Sequence, residues 1–261
     1  WGMGQNSNGQ LGDGTSSQRL SPVPIVGSGV TAVAGGDNHT LFVKSDGSLW
    51  TMGYNGYGQL GDGTTSSRQS PGKIINSGVT TVAAGNLHSL FIKNDGSLWT
   101  MGRNSRGQLG DDSSTNRSTP VKVVNGGVVA VDGGNEHSLY VTADGSFWGM
   151  GYNSSGRLGD GTDDQRATPG RSFGPPRITV QPINRTLGAG DGLTFSVTGD
   201  GGSLSYQWYK NGGAINGATS STYSINGVNN THGGAYHVIL RNAYGAVSSV
   251  TVGLVVDGMP Y

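Results

Sequence analysis

Apolar and polar residues alternate along much of the chain, in short runs separated by turn residues. The segments Val30–Gly36 and His39–Gly53 show this alternation clearly. A period of two places one side of a β-strand in a core. Asp-Gly pairs between the runs, at Asp46, Asp95 and Asp144, are typical of tight hairpin turns. No segment keeps the 3.6-residue apolar period of an amphipathic helix, so the pattern predicts an all-β protein.

The pattern repeats with a fixed period. Four units, spaced 49 residues apart without insertion or deletion, begin at Trp1, Trp50, Trp99 and Trp148. Ten positions are identical in all four units; in the second unit they are Trp50, Met52, Gly53, Asn55, Gly58, Leu60, Gly61, Asp62, Arg68 and Pro71. Periods of about 40–50 residues are typical of β-propellers, in which each blade is a four-stranded sheet.

Two details of the repeat lead to local expectations. The apolar runs Pro22–Val26 and Pro120–Val124 open on proline and are predicted as edge strands, since proline cannot donate a ladder hydrogen bond. The third unit has Asp112 where the other three units have glycine. We expect a locally different turn there.

The motifs GGxxHSL, DGSLW, GxNxxGQLGDGT and RxxP follow one another in this order, which resembles the regulator of chromosome condensation repeat. That family builds seven-bladed propellers, and the resemblance covers residues 1–173. It implies that each glycine-rich stretch is the exit turn of a blade. Its glycines then permit positive φ and close approach of neighbouring blades. The repeat tryptophans are predicted to pack between sheets.

Three complete repeats with two partial ends do not close a ring of four to eight blades. The sequence therefore predicts a partial, open β-propeller of about three and a half 49-residue repeats. Uncovered blade faces and strand edges are unfavourable in water. We expect the arc to be completed by sequence preceding Trp1 or by another copy of the chain.

The period ends at a linker, residues 174–177, with the sequence GPPR. Six strand-like runs follow: RITVQP, LTFSVTGD, SYQWYKNG, STYSING, GAYHVILRNAYG and VSSVTVGLVV. They resemble an immunoglobulin-like β-sandwich of the sort common in secreted bacterial proteins. The resemblance covers residues 175 to about 256, and we assign residues 178–261 to this domain. The resemblance implies that Trp208 is the core tryptophan and that Tyr236 is the tyrosine-corner residue.

Two valines stand where such sandwich domains usually carry a disulfide. They are Val197 and Val238, and the chain contains no cysteine. The resemblance implies that apolar packing replaces the disulfide between these positions.

Charge and composition narrow the classes of partner. The chain has 16 basic and 16 acidic residues, divided as 12 and 13 in residues 1–174 and as 4 and 3 thereafter. This balance gives no electrostatic reason to bind nucleic acid or an anionic membrane. No apolar run approaches the roughly 18 residues that a membrane helix needs. We expect no nucleic-acid partner and no membrane span.

The best candidates for chemistry are His39, His88 and His137, one in each complete repeat. A zinc ion needs ligand nitrogens about 2.0–2.1 Å away, and equivalent positions on successive blades lie too far apart to share one ion. We interpret these residues as structural, each hydrogen-bonding a blade turn. The spacing of Asp160, Asp163 and Asp164 does not match a calcium loop.

The chain carries no nucleophile elbow, no H-E-x-x-H sequence and no phosphate-binding loop. Acids that are copied in every repeat do not form a unique catalytic pair. We expect no catalytic residue, cofactor or metal, and hence no enzyme.

Positions that vary between repeats are the candidates for binding. They lie inside the exit turn and just before each histidine, and tyrosine and arginine there are residue types enriched at binding hot spots. The candidate binding face is Tyr54, Tyr57, Leu87, Arg103, Arg106, Glu136 and Tyr152. The alternative is drift at unconstrained loop tips.

We expect a non-enzymatic structural protein. The resemblance of the second domain implies that the protein is extracellular, either secreted or at a bacterial cell surface. It would be a scaffold, an adhesion module or a self-assembling fibre subunit, whose partners are copies of itself or another surface protein. The alternative is a protein- or ligand-binding propeller that acts through its exit-turn loops, as a beta-lactamase inhibitor of the same repeat family illustrates.

Overall fold

The computed structural model describes residues 1–257, which form β-strands, turns and one short 3-10 helix, Asn230–His232. No α-helix occurs within that range, and the all-β prediction is confirmed. The chain divides into two compact units, Trp1–Ser172 and Phe173–Tyr261. The last four residues of the predicted sandwich domain, 258–261, lie outside the described residues.

The first unit is built of blades, as the repeat predicts. A two-stranded sheet pairs β1 (Gly2–Gly4) with β2 (Arg19–Val23). Three antiparallel four-stranded sheets follow, each with its strands in chain order. Their strands are β3–β6 at Val30–Gly35, His39–Lys44, Leu49–Gly53 and Arg68–Ile75; β7–β10 at Val79–Ala84, His88–Lys93, Leu98–Gly102 and Arg117–Val124; and β11–β14 at Val128–Gly133, His137–Thr142, Phe147–Gly151 and Arg166–Phe173.

The outermost strands begin earlier than the sequence analysis expected. Strand β10 starts at Arg117, so Pro120 is its fourth residue, and β2 ends at Val23 instead of continuing to Val26. The register between β10 and β9 is irregular between Arg117 and Val121, around the proline. An outermost strand has one side without a ladder partner, which is why proline fits inside it.

Adjacent blades bury their apolar side chains against each other. The core between the first and second complete blades consists of Leu41, Val43, Leu49, Val79, Phe91 and Met101. The core between the second and third consists of Ala83, Leu90, Ile92, Leu98, Val128, Tyr140 and Met150. Each blade therefore depends on its neighbours for a closed core, as repeat architectures do.

The repeat tryptophans lie at the edges of these cores. In each complete blade the indole stacks on the aromatic ring of the neighbouring strand: Phe42–Trp50, Phe91–Trp99 and Tyr140–Trp148, with centroids 6.1, 6.1 and 5.9 Å apart. Trp99 and Trp148 are half-buried against the inter-blade cores. Trp1 departs from the role predicted for it and is 83% exposed. In the complete blades the stacking partner lies on the strand before the tryptophan, whereas β1 pairs only with β2 among the described residues.

Glycines let each exit turn approach the next blade closely. A Cβ at Gly58 would lie 2.5 Å from the Ser118 Cα, and one at Gly61 would lie 2.3 Å from the Met101 Sδ. The Gly63 N–H donates to the Ser118 carbonyl at 2.9 Å. Both Gly58 and Gly61 also have positive φ, so no other residue type suits these positions.

Asp112 adopts the conformation of its glycine counterparts, and the expectation of a different turn is wrong. Its φ is 59°, against 82° at Gly63, and its N–H donates to the Ala167 carbonyl at 3.0 Å. The side chain is accommodated because a Cβ at Gly63 would have its nearest neighbour 3.9 Å away. The cost of the residue is thus conformational strain and not a clash.

Histidines join neighbouring blades. The His39 Nε2 lies 2.9 Å from the Ser89 Oγ, and the His88 Nε2 lies 2.9 Å from the Ser138 Oγ. The single hydroxyl proton of Ser89 is donated to the Gln59 carbonyl at 2.7 Å, so His39 donates from Nε2. The histidine partner is therefore a strand residue of the next blade and not the blade turn expected from the sequence.

Burial favours the neutral form of all three histidines. Burial lowers the pKa of His39 to about 4. Burial, with a smaller contribution from the neighbouring His39 and His137, lowers the pKa of His88 to about 3. Burial, with the charge of Arg157, also lowers the pKa of His137.

The second unit is a β-sandwich. Its largest sheet has the order β16-β24-β22-β19-β20, with β23 also paired to β22; two further pairs are β15-β18 and β17-β21. The strands β15–β24 are Arg177–Val180, Arg185–Gly188, Leu193–Ser196, Thr198–Asp200, Ser205–Lys210, Gly213–Ala214, Thr222–Ile225, Gly234–Asn242, Gly245–Ser248 and Val252–Asp257. Strand β16, which the sequence analysis did not predict, pairs in parallel with β24.

The sandwich core is centred on two aromatic residues. Trp208 is fully buried, and its Nε1 donates to the Ser220 carbonyl at 2.9 Å. The Tyr236 hydroxyl donates to the His232 carbonyl at 2.6 Å, which is tyrosine-corner geometry. The remaining buried core residues are Leu193, Phe195, Val197, Ala218, Val228, Val238, Leu240, Val252 and Leu254.

Replacing Asp112 by glycine should stabilise the protein. The substitution removes left-handed strain of about 1 kcal/mol, partly offset by the greater freedom of the unfolded chain. We expect a higher melting temperature for Asp112→Gly and a lower one for the reverse control, Gly63→Asp. Calorimetry that shows no change in either variant would contradict the strain at this turn.

Stability should fall on mild acidification. The unfolded histidines titrate near pH 6.5, so below that pH the unfolded state binds more protons than the folded state. His39 and His88 should each lower the free energy of unfolding by about 2 kcal/mol at pH 5 relative to pH 7. His88→Gln should reduce this loss in urea titrations followed by tryptophan fluorescence, and the control Asn94→Gln, at an exposed turn position, should not. An equal loss in all three proteins would contradict the assignment.

Trp208→Ala should destabilise the sandwich by about 3–5 kcal/mol, because it removes a large buried aromatic ring. The control Val255→Ala changes a side chain that is 53% exposed and should have little effect. Urea unfolding of both variants measures the difference. A loss below about 1 kcal/mol for Trp208→Ala would contradict the central place of this ring in the core.

Candidate functional site

Backbone hydrogen bonds bring the two sets of variable positions to one face of the blades. The exit loops of the complete blades are residues 54–64, 103–113 and 152–162. Each loop starts beside the residue that precedes the histidine of its own blade, through Tyr54 N–H to Asn38 O (2.7 Å), Arg103 N–H to Leu87 O (2.9 Å) and Tyr152 N–H to Glu136 O (2.9 Å). Both kinds of variable residue therefore face the same way.

A buried asparagine holds each exit loop in shape. Asn55 is fully buried, and its Nδ2 lies 3.2 Å from the Asp62 Oδ1, 3.1 Å from the Thr64 carbonyl and 3.1 Å from the Ser66 carbonyl. Its Oδ1 accepts the Leu60 N–H at 2.9 Å. A single side chain thus satisfies four backbone or side-chain groups of its loop, which explains why asparagine recurs in every repeat.

The loop aspartates are braces within the same loops. Asp111 accepts from the Asn104 Nδ2 at 2.8 Å and pairs with Arg117, the first residue of β10, at 2.6 Å. The pKa of the Asp13 carboxyl lies well below its usual range. The largest contribution to this lowering is a hydrogen bond from the Thr15 side chain. These carboxylates are therefore ionised and occupied by structural contacts.

Aromatic and cationic side chains from neighbouring loops lie against each other above this frame. The rings of Tyr54 and Tyr57 meet edge to face with centroids 6.4 Å apart. The guanidinium of Arg103, from the next blade, lies 5.7 Å from the centre of the Tyr57 ring. Cation–π geometry of this kind holds an arginine without satisfying its N–H groups.

The contacts continue into the third complete blade. Glu136 pairs with Arg103 at 3.0 Å and with Arg106 at 3.6 Å. The guanidiniums of Arg106 and Arg157 lie 4.8 and 4.7 Å from the centre of the Tyr152 ring. We call this group the exit-loop surface: Tyr54, Tyr57, Arg103, Arg106, Glu136, Tyr152 and Arg157.

Leu87, the remaining residue of the predicted face, is half-buried, and its backbone contribution is the carbonyl that accepts from Arg103. Arg157 was missed by the sequence analysis. The signal for it was present, because Arg157 stands where the other repeats have Gln10, Gln59 and Gln108. The side chain of Gln59 accepts the Tyr57 N–H at 3.1 Å within its own loop, whereas Arg157 reaches the surface.

The other candidates do not form a reactive site. Within residues 1–257, no group of three or more histidine, cysteine or acidic side chains could hold a metal ion. Asp160, considered above for calcium, lies within hydrogen-bond distance of Asn153, Thr162 and Arg166. No helix in the described part of the chain is long and apolar enough to cross a membrane.

Comparison with known families agrees with this architecture. The model of the regulator of chromosome condensation (RCC1) repeat matches residues 1–43, 46–92 and 95–141, which together exceed half of the chain. A second model of the same repeat matches residues 30–59, 79–108 and 128–157. An immunoglobulin domain model matches residues 175–242. No curated protein sequence is significantly similar to the chain.

Solved structures of RCC1-like proteins have a similar fold. Human WBSCR16 is 24% identical, with a TM-score of 0.56 over 76% of this chain and 54% of its own. Prp20p from Saccharomyces cerevisiae, in a structure described with its binding properties to Gsp1p and histones, is 26% identical, with a TM-score of 0.57 over 66% of this chain and 45% of its own. Yeast RCC1 (Prp20) bound to Kap60 is 24% identical, with a TM-score of 0.58 over 77% of this chain and 49% of its own.

The chain thus spans about half the length of these structures. The repeat match, the three complete four-stranded blades and the sandwich that follows them lead to one assignment. The chain belongs to the regulator of chromosome condensation (RCC1) repeat family and carries an immunoglobulin domain after its repeats.

Proposed function

We propose that this chain is a non-catalytic protein-binding module that engages its partner through the exit-loop surface. The observation that carries the proposal is the continuity of that surface. Three neighbouring loops contribute three tyrosines and three arginines, linked by ring and ion-pair contacts from Tyr54 to Arg157. Tyrosine and arginine are enriched among the few residues that dominate the binding energy of protein interfaces.

The frame beneath the surface supports a binding role over drift. The invariant parts of each loop, such as the buried Asn104 and its partner Asp111, are fixed by side-chain hydrogen bonds. The variable side chains are then attached to a fixed backbone. Less conformational entropy is therefore lost when a partner binds. The same arrangement allows one fold to carry different contact residues in different blades.

Proteins are the ligand class that the relatives favour. The yeast Prp20p structure is described with binding to Gsp1p and histones. We extend to this chain only the class of ligand, a protein. Secretion, attachment to a bacterial surface and assembly with further copies of the chain stay predictions from the sequence.

Removal of the surface side chains should abolish partner binding without unfolding the protein. The full chain, immobilised, serves as bait in an extract of its source organism, and the captured protein is then purified for calorimetric titration. A variant with Tyr54, Tyr57, Arg103 and Arg106 changed to serine should bind at least tenfold more weakly. The variant should stay folded, with a melting temperature lowered by no more than about 8 °C, because four surface substitutions together cost at most about 2 kcal/mol.

The matched control is Lys44→Ser with Lys93→Ser. These lysines also lie over aromatic rings, 5.1 Å from the centre of Trp50 and 4.5 Å from that of Trp99, but not in the exit loops. The control should keep its affinity within about twofold. If the serine variant binds with the same affinity as the unchanged protein, the exit-loop surface is not the binding site.

A further inference from the structure

The exit-loop surface carries an excess of positive charge at one end. Its charged side-chain types are three arginines and one glutamate. Glu136 pairs with Arg103 and, more distantly, with Arg106. Among the described residues Arg157 has no carboxylate partner, and its Nε donates to the Ser154 carbonyl at 2.9 Å. Arg157 is exposed, so its guanidinium is open to an external anion.

Two of these cations lie against the ring of Tyr152. The guanidiniums of Arg106 and Arg157 lie 4.8 and 4.7 Å from the centre of its ring. The aromatic ring offsets part of the repulsion between the two like charges, because its face attracts cations. A guanidinium held over a ring still directs its N–H groups outward in its own plane, where they match the two oxygens of a carboxylate.

Glu136 shows that this surface accepts a carboxylate. Its two oxygens lie 3.0 Å from the Arg103 Nη2 and 3.6 Å from the Arg106 Nε. The longer contact leaves Arg106 only weakly engaged. The carboxylates of an incoming acidic segment would therefore reach Arg106 and Arg157 without having to separate an ideal ion pair.

The geometry points to an acidic segment of the partner protein as the ligand of the cluster formed by Arg106, Tyr152 and Arg157. This inference rests on the proposed function and names the chemistry that the surface recognises. Phosphate esters present similar oxygens, but a nucleic acid would meet a propeller unit with 12 basic and 13 acidic residues in residues 1–174. A polyanion needs a broad positive field, whereas a short acidic segment needs only the local cluster.

The test uses a fluorescein-labelled octapeptide of alternating glutamate and alanine, with anisotropy measured on the full chain at low salt. We expect saturable binding that weakens as salt is added. Arg157→Gln should lower the affinity about tenfold, and Glu136→Gln should raise it several-fold because it removes the competing carboxylate. Lys44→Gln is the matched control, with the same loss of charge away from the loops, and should change the affinity less than twofold.

Three further probes separate the sources of negative charge. The glutamine-alanine octapeptide should not bind. A serine-phosphorylated octapeptide or a single-stranded DNA 20-mer that binds more tightly than the glutamate peptide would overturn the assignment to carboxylates. Absence of binding by the glutamate peptide, or equal effects of Arg157→Gln and Lys44→Gln, would overturn it as well.

Failure of this inference is distinguishable from failure of the proposed function. The captured partner is tested against two double variants, Tyr54→Ser with Tyr57→Ser and Arg106→Gln with Arg157→Gln. If only the tyrosine variant loses binding, the surface binds protein without recognising acidic side chains. If the partner binds normally to both double variants, the surface itself is not the binding site.

Discussion

The close approach of each exit loop to the outer strand of the next blade is the contact on which the propeller depends. A Cβ at Gly58 would lie 2.5 Å from the Ser118 Cα, which leaves no room for any residue but glycine. The contact repeats from blade to blade, as at Gly107 against Ala167. Between the first and second complete blades, the Met101 side chain packs against Gly61, and His39 contacts Ser89. The 49-residue period is thus the spacing at which this set of contacts between blades recurs.

This constraint also makes the candidate site. The glycines, the buried asparagine and the aspartate fix the loop backbone and leave only a few positions free to vary. Backbone bonds such as Arg103 N–H to Leu87 O align those positions with the residues before the histidines. Variation is therefore confined to one face, where contacts between blades link Tyr57 to Arg103 and Arg106 to Tyr152.

Local periodicity predicts the repeat and the all-β class, because hairpin turns and strand alternation are encoded in adjacent residues. The sandwich is expected from its strand-like runs and their resemblance to immunoglobulin-like domains. Contacts between blades are not encoded in adjacent residues. The partner of His39 lies 50 residues away at Ser89, and Arg157 joins Arg106 only through the Tyr152 ring. Strand β16 has only four residues and depends on its pairing with β24 about 70 residues later, so its own sequence carries little signal.

The central claim is that the exit loops are rigid frames presenting variable side chains, and amide hydrogen exchange tests it most directly. The Leu60, Leu109 and Leu158 N–H groups donate to buried asparagines at 2.9, 2.9 and 2.8 Å. If the frame is rigid, these amides should exchange as slowly as those of the central strands β8 and β9. Exchange at the rate of an unprotected surface loop would contradict the account.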